Sequence, residues 1–422
     1  MDIPVGLDSA QIFDPVQRQV TIEDSFYHNV RPAHAIQTGE PIDLVFKSDR
    51  IHALDLSKTK LYVKMKLTAA NDANLANNVR VAPVNYPIGT MFDRVETYLN
   101  DVRVGDDKHY GFKSYIEALL STEEAVKKGQ LTSGLFFLDD ANQFENTLVV
   151  AAPNTDRNSG FVARQAFTDQ SASVDLLGRI HSDIFKSRRL LPPGVDLRVT
   201  LYPAPDKFTL LAHTGANTSK LLIQDVTIFL SQVKLTAESE SRMLRKLQTT
   251  NAIYPIPRAA IRVHHLVQNT TEFRIDNFIR TEKLPDAIVI GFTRTSALQG
   301  NIEQNPLEFK KGTLDKLVLH VNDKRIPRQA STDNIELWNY LSLFDNDAEG
   351  NGIKRKEHPH GYFLTKFQLN NVGEDYVSNS KSGRVDVEGN FSTALTAGVT
   401  MVAFIEQSGV LELNKHLQPS VR

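Results

Sequence analysis

Apolar and polar residues alternate with period two along much of this chain. Leu61, Val63, Met65 and Leu67 alternate with Tyr62, Lys64 and Lys66, the pattern of a strand with one face in a core. Leu197, Val199 and Leu201 alternate with Arg198, Thr200 and Tyr202 in the same way, and Ile223, Val226, Ile228 and Leu230 sit in a β-branched run. Strand-sized apolar runs follow at 287–292, 317–321 and 399–405. Turn sequences separate them: Pro192-Pro193-Gly194, Asn322-Asp323, Gly350-Asn351-Gly352 and Ser408-Gly409. Many short strands between turns predict β-sandwiches or barrels. Helical spacing is confined to a few places. Tyr115, Ile116, Leu119 and Leu120 form one stripe, with a second helix start at Ser121-Thr122-Glu123-Glu124, and Ile335, Leu337, Trp338 and Leu341 form another. Between them, residues 236–247 begin with a Thr cap candidate and run from acids to bases, which suits the helix dipole. Pro255 and Pro257 then break the chain, so the boundary between two halves is placed near residue 250.

An internal repeat supports two like halves. Residues 91–104 match residues 313–326, with Asp93 on Asp315, Asn100 on Asn322, Asp101 on Asp323 and Arg103 on Arg325, an offset of 315 − 93 = 222. Val95, Leu99 and Val104 pair with Leu317, Val321 and Ile326. Each copy reads as a strand, an Asn-Asp turn and a short return strand, as in a hairpin, and a helical patch follows. Upstream, a pair of strand runs is expected in each half: 42–47 with 61–67, and 261–267 with 287–292. The offset is too long for a solenoid repeat of roughly 20–50 residues and suits two copies of one β-sandwich domain.

Composition narrows the function. The chain has 422 residues, 48 Lys plus Arg against 50 Asp plus Glu, and no cysteine. Disulfides, thiol catalysis and Cys-based zinc sites are excluded. A pI near 6.6 argues against a dedicated nucleic-acid or membrane-surface binder. No apolar segment has the length needed to span a bilayer, and no signal-peptide pattern opens the sequence, so a soluble protein made in a reducing compartment is expected. The sequons at Asn217, Asn269 and Asn390 are read as chance matches.

Catalytic equipment is not evident. His358-Pro359-His360 and His264-His265 lack a carboxylate at metal-ligand spacing, and they read as a loop and an alternating strand. Asp139-Asp140 and Asp323 sit in turn-forming sequences. No phosphate-binding loop, dinucleotide fingerprint or nucleophile elbow occurs. The basic clusters at 186–189, at Arg242 with Arg245-Lys246, and at 354–356 have no interleaved aromatics and read as solvated faces or subunit contacts. No catalytic, cofactor-binding or metal residue is assigned, no cofactor is expected, and a non-enzymatic structural or binding protein is.

Three stretches carry a family resemblance. Residues 85–100, Asn85-Tyr86-Pro87 through Leu99-Asn100, resemble the N-x6-F-x2-V-x4-N strand of major capsid proteins from Polinton/Maverick elements and adintovirus-like double-stranded DNA viruses. Residues 110–120 resemble their Y-x-x-Y-I-E-x-L-L helix, and residues 174–185, with Gly178, Ile180, His181, Asp183 and Phe185, resemble their L-x-G-x-L-H-x-D-x-F segment. The resemblance covers roughly 40–250. It implies an all-β double jelly roll: two tandem eight-stranded sandwiches with short helices between strands. It implies an arm over 1–40, a first jelly roll with a linker helix over 41–250, and a second over 251–422. The implied protein trimerises into pseudo-hexameric capsomers that tile an icosahedral shell. Its implied partners are itself, penton and minor capsid proteins, and its implied place is the virion, after assembly in the host nucleus or cytoplasm. The alternative is a non-enzymatic β-sandwich adhesin or binding module, which an exposed aromatic platform would favour. A sandwich hydrolase would need two close carboxylates in a cleft, and a penton would need only one jelly roll.

Overall fold

Among the described residues, sixteen principal strands form four antiparallel sheets, arranged as two sandwiches in which each strand of the second has its counterpart eight places earlier. In the first sandwich the strands are β1 (Ile22–Val30), β2 (Ile42–Phe46), β3 (Ala53–Thr68), β4 (Phe92–Leu99), β5 (Val102–Lys108), β6 (Val174–Gly178), β7 (Leu197–Pro203) and β8 (Lys220–Leu235). The second has β9 (Ala252–Leu266), β10 (Glu272–Thr281), β11 (Ala287–Arg294), β12 (Leu314–Val321), β13 (Lys324–Ile326), β14 (Leu364–Gln368), β15 (Gly383–Phe391) and β16 (Val399–Leu413). The sheet orders are β1-β8-β3-β6 facing β2-β7-β4-β5, and β9-β16-β11-β14 facing β10-β15-β12-β13. That order, with first and last strands side by side, is the jelly roll, here present twice. The computed structural model describes residues 20–150, 156–216, 218–281, 283–322, 324–326, 335–344, 350–369 and 382–421.

The predicted repeat is the β4–β5 hairpin and its counterpart β12–β13. Its asparagine has a specific task. Asn100 and Asn322 both adopt φ 47, in the left-handed region that Asn tolerates better than most residues. Each also clamps the neighbouring strand start. Asn100 N–H donates to Asp196 O at 3.1 Å while Asp196 N–H donates to Asn100 Oδ1 at 2.8 Å. Asn322 and Arg384 exchange the same two bonds, at 3.1 and 3.0 Å. Asp323 lies outside the described residues.

Helix α1 (Tyr110–Leu120) follows β5, α2 (Ser159–Thr168) lies further along the same insertion, α3 (Ala237–Thr249) links the two rolls, and α4 (Ile335–Leu341) follows β13. The start at Ser121–Glu124 becomes the short helix Glu124–Lys128. Thr236 precedes α3 but does not cap it; its hydroxyl donates to Val20 O at 3.2 Å.

Two expectations differ from the structure. Residues 20–40, expected within an arm, carry β1, which pairs with β8 along its length. Eight of its nine residues are exposed, so neither face shows a burial alternation that a sequence pattern could reveal. Residues 1–19 lie outside the described residues. In the upstream strand pairs, the 261–267 run is one place out of step. The stretch 261–267 falls on the end of β9, the counterpart of β1, whereas the counterpart of β2 is β10.

Candidate functional site: the seam between the rolls and the surfaces left open

The second roll has a core of its own, built on Ile288, Ile290, Leu317, Val387, Met401 and Ala403. Its outward face is also buried. Val289, Val402, Phe404, Ile256 and Ile261 join the core cluster of the first roll. Alternate residues of β11 and β16 therefore serve two cores, which is why 287–292 and 399–405 read as continuous apolar runs. At the same place in the first roll, Tyr62, Lys64 and Lys66 of β3 are only half-buried.

Helix α1 packs against β9 at this seam. Nine of its eleven residues are buried, including Lys113. Lys113 Nζ lies 2.5 Å from Asp107 Oδ1 and 2.6 Å from Asp183 Oδ1. Asp183 Oδ1 also accepts the backbone N–H of Ala259 on β9 at 3.1 Å, so this ion cluster reaches the second roll. Burial would lower the Lys113 ammonium, but the two carboxylates outweigh it and raise it. Burial, with Asp183 beside it, raises the Asp107 carboxyl against the pull of Lys113.

A second cluster adjoins it. Glu117 holds His181 Nδ1 at 3.1 Å and Lys186 Nζ at 2.7 Å. Burial opposes the Glu117 carboxylate, yet these two bases hold it far below the ordinary range. His181 Nε2 pairs with Tyr86 OH at 2.9 Å, and the His181 N–H donates to Tyr110 OH at 2.8 Å. The three stretches that carry the family resemblance thus converge here: Tyr86 from the first, Tyr110, Lys113 and Glu117 from the second, His181 and Asp183 from the third. The sequence signal for this cluster was a lysine inside an otherwise apolar helix stripe, which could have been singled out.

Other contacts complete the seam. Arg164 on α2 is fully buried and pairs with Asp139 at 2.6 Å. The Asp139 backbone carbonyl accepts from Tyr362 OH of the second roll at 2.5 Å. Lys127 is buried and donates to Leu119 O and to Asn351 O of the second roll. Burial pushes its ammonium down to about 7, with Glu124 opposing. Gly361, at φ +139, lies so close to the Phe144 ring that any Cβ would overlap it. Such buried ionic contacts fix how two units register more than they add net stability. A cleft of about 880 Å³ runs along the seam, lined by Ile116, Glu117, Arg179 and His181 on one side and by Val289, Lys366, Phe404 and Glu406 on the other.

The histidines, aspartates and basic clusters with possible chemistry lie scattered over the fold. His358 is buried with Nε2 on Leu364 O at 2.9 Å, and His265 Nδ1 meets Thr400 Oγ1 at 2.8 Å. Asp140 accepts the Ser159 N–H at 2.7 Å. Lys186 and Arg189 face the seam, Arg189 donating to Ile253 O at 2.6 Å, while Arg242 pairs with Glu238 on the exposed side of α3. Among the described residues no group of three His, Asp or Glu side chains could hold a metal ion, and no helix is long and apolar enough to cross a membrane. Large apolar side chains do stand in the open, notably Trp338 and Leu341 on α4, at 64% and 53% exposure, and Tyr27 on β1, at 53%.

No protein-family model and no curated protein matches this sequence. Solved structures do match in shape. The chain is similar to one in the cryo-EM structure of the Sputnik virophage, with TM-score 0.65 and 12% identity, covering 100% of this chain and 93% of that one. It is similar to the mavirus major capsid protein, with TM-score 0.60 and 10% identity, covering 100% and 95%. It is similar to a chain of the PBCV-1 virus capsid, with TM-score 0.59 and 10% identity, covering 97% and 98%. The double jelly-roll fold is therefore shared along the whole chain.

Proposed function

We propose that this chain is a major capsid protein of an icosahedral double-stranded DNA virus or a related Polinton-like element, acting as a building block and not as an enzyme. The observation that carries this reading is the fused pair of jelly rolls, matched in shape over 100% of this chain and 95% of the mavirus major capsid protein. Two rolls locked at a buried seam make one rigid tile, and rigid sandwiches with broad flat sides suit repeated self-association. On this reading the tile has two units dividing near residue 250, and three chains form a capsomer with six rolls. Penton and minor capsid proteins complete the shell, and the protein resides in the virion after assembly in the host cell.

The test is light scattering and negative-stain imaging of the purified chain. The expected particle has three times 47.3 kDa, about 142 kDa, and a pseudo-hexagonal outline. A strictly monomeric protein at high concentration would sink the reading and return weight to a binding module.

A further inference from the structure

Two surfaces that mate inside the chain have unmated counterparts elsewhere in it. The mating pair is α1 of the first roll, with Ile116 and Leu119 fully buried, and the outward face of β9, β16 and β11 in the second. The repeat offset of 222 carries Ile116 and Leu119 onto Trp338 and Leu341 of α4, the two large apolar side chains left exposed there. Eight strands earlier, the counterparts of β9, β16 and β11 are β1, β8 and β3. Their outward face carries Tyr27, Phe229 and Tyr62, since Tyr27 sits opposite Ser231, and Phe229 opposite Asn29 and Lys60. The Tyr62 and Phe229 rings meet edge to face at 6.1 Å, and among the described residues no strand pairs with the outer edge of β1.

The two edge strands make the contrast plain. The free edge of β9 is covered from the first roll, by Asp183 on Ala259 N–H and by Arg189 on Ile253 O. The corresponding strand β1 has eight exposed residues. An exposed aromatic knob and a partly exposed aromatic sheet face each hold the place of one half of an existing interface. An uncovered strand edge is also a surface that folded proteins normally protect.

We propose that Trp338 and Leu341 of one copy dock on the Tyr27–Tyr62–Phe229 face of the next copy, repeating between chains the contact that α1 makes within the chain. The contact is head-to-tail, so its rotation must close into a ring, and the two alternating interfaces give each copy one donor and one acceptor side. The proposal rests on the capsid reading and names the surfaces that reading leaves open.

The absence of cysteine supplies a clean test. A chain with Tyr27→Cys and Leu341→Cys, treated with a short bismaleimide, is expected to give covalent dimers and trimers on a denaturing gel. Each single variant should give none of the trimer. Trp338→Glu, at a solvent-exposed position, should leave the melting temperature of the monomer unchanged and weaken association at least about 30-fold, the size expected of a central aromatic anchor. A trimer by light scattering with no cross-link, or with Trp338→Glu assembling like the parent, overturns the proposed surface and leaves the capsid reading standing. A parent chain that never associates overturns both.

Discussion

Strand β3 of the first roll and β11 of the second hold the same place in the same sheet, yet their outward faces differ. On β3 that face is Tyr62, Lys64 and Lys66, half-buried; on β11 every residue from Ala287 to Thr293 is buried. Helices α1 and α4 show the reverse: Ile116 and Leu119 are buried in the first roll, and Trp338 and Leu341 are exposed in the second. Topology is thus constant while burial follows whichever neighbour is present. The contrast teaches that a surface in one roll is best read against its covered equivalent in the other.

The comparison can be broken at β11 itself. Val289→Lys, which imports the character of the β3 face, would bury an unpaired cation and should cost more than about 4 kcal/mol in urea unfolding. The reciprocal Lys64→Val should stay within about 0.5 kcal/mol. Arg164→Ala, which strands Asp139 in the interior beneath Tyr362, should cost roughly 3–5 kcal/mol by the same measurement. A smaller effect separates the two hairpin asparagines. Asn100→Ala should cost about 1–2 kcal/mol, and Asn322→Ala less, because Asn100 also donates to Leu417 O at 2.8 Å whereas Asn322 reaches Ser382 O only at 3.3 Å. Equal losses would show that the Leu417 bond adds nothing to the turn and the clamp that both residues share.

A separate test is a pH slope at Lys127. Its folded-state value near 7 lies below the ordinary value near 10.4, so between these limits the unfolded chain holds a proton that the folded chain has released. Stability should therefore rise with pH across that window, by at most about 1.4 kcal/mol per unit from this group. Lys127→Met should flatten the slope in melts taken from pH 7 to 10.

Much of this architecture was legible in the sequence, and the gaps have physical causes. Alternation revealed β3 and β7 because one face of each meets a core. The 222-residue offset revealed the hairpin because its Asn must take a left-handed turn in both rolls. Strand β1 was hidden, since an edge strand with both faces exposed leaves no periodic trace. Continuous apolar runs at β11 and β16 marked the seam, but such a run does not say what lies on its second side. The clusters around Lys113 and Glu117 join residues up to 95 positions apart, and no local spacing encodes that meeting.

The pairing of first and last strands sets a schedule for synthesis. Strand β1 closes on β8, roughly two hundred residues downstream, so the first sheet cannot be completed until Leu235 has left the ribosome. At that moment β9 is still unmade, and Ile116, Phe112 and their neighbours on α1 face water. Nascent chains of this kind pass through an interval in which a finished first sandwich carries an uncovered apolar side, and long-range pairing makes that interval slow.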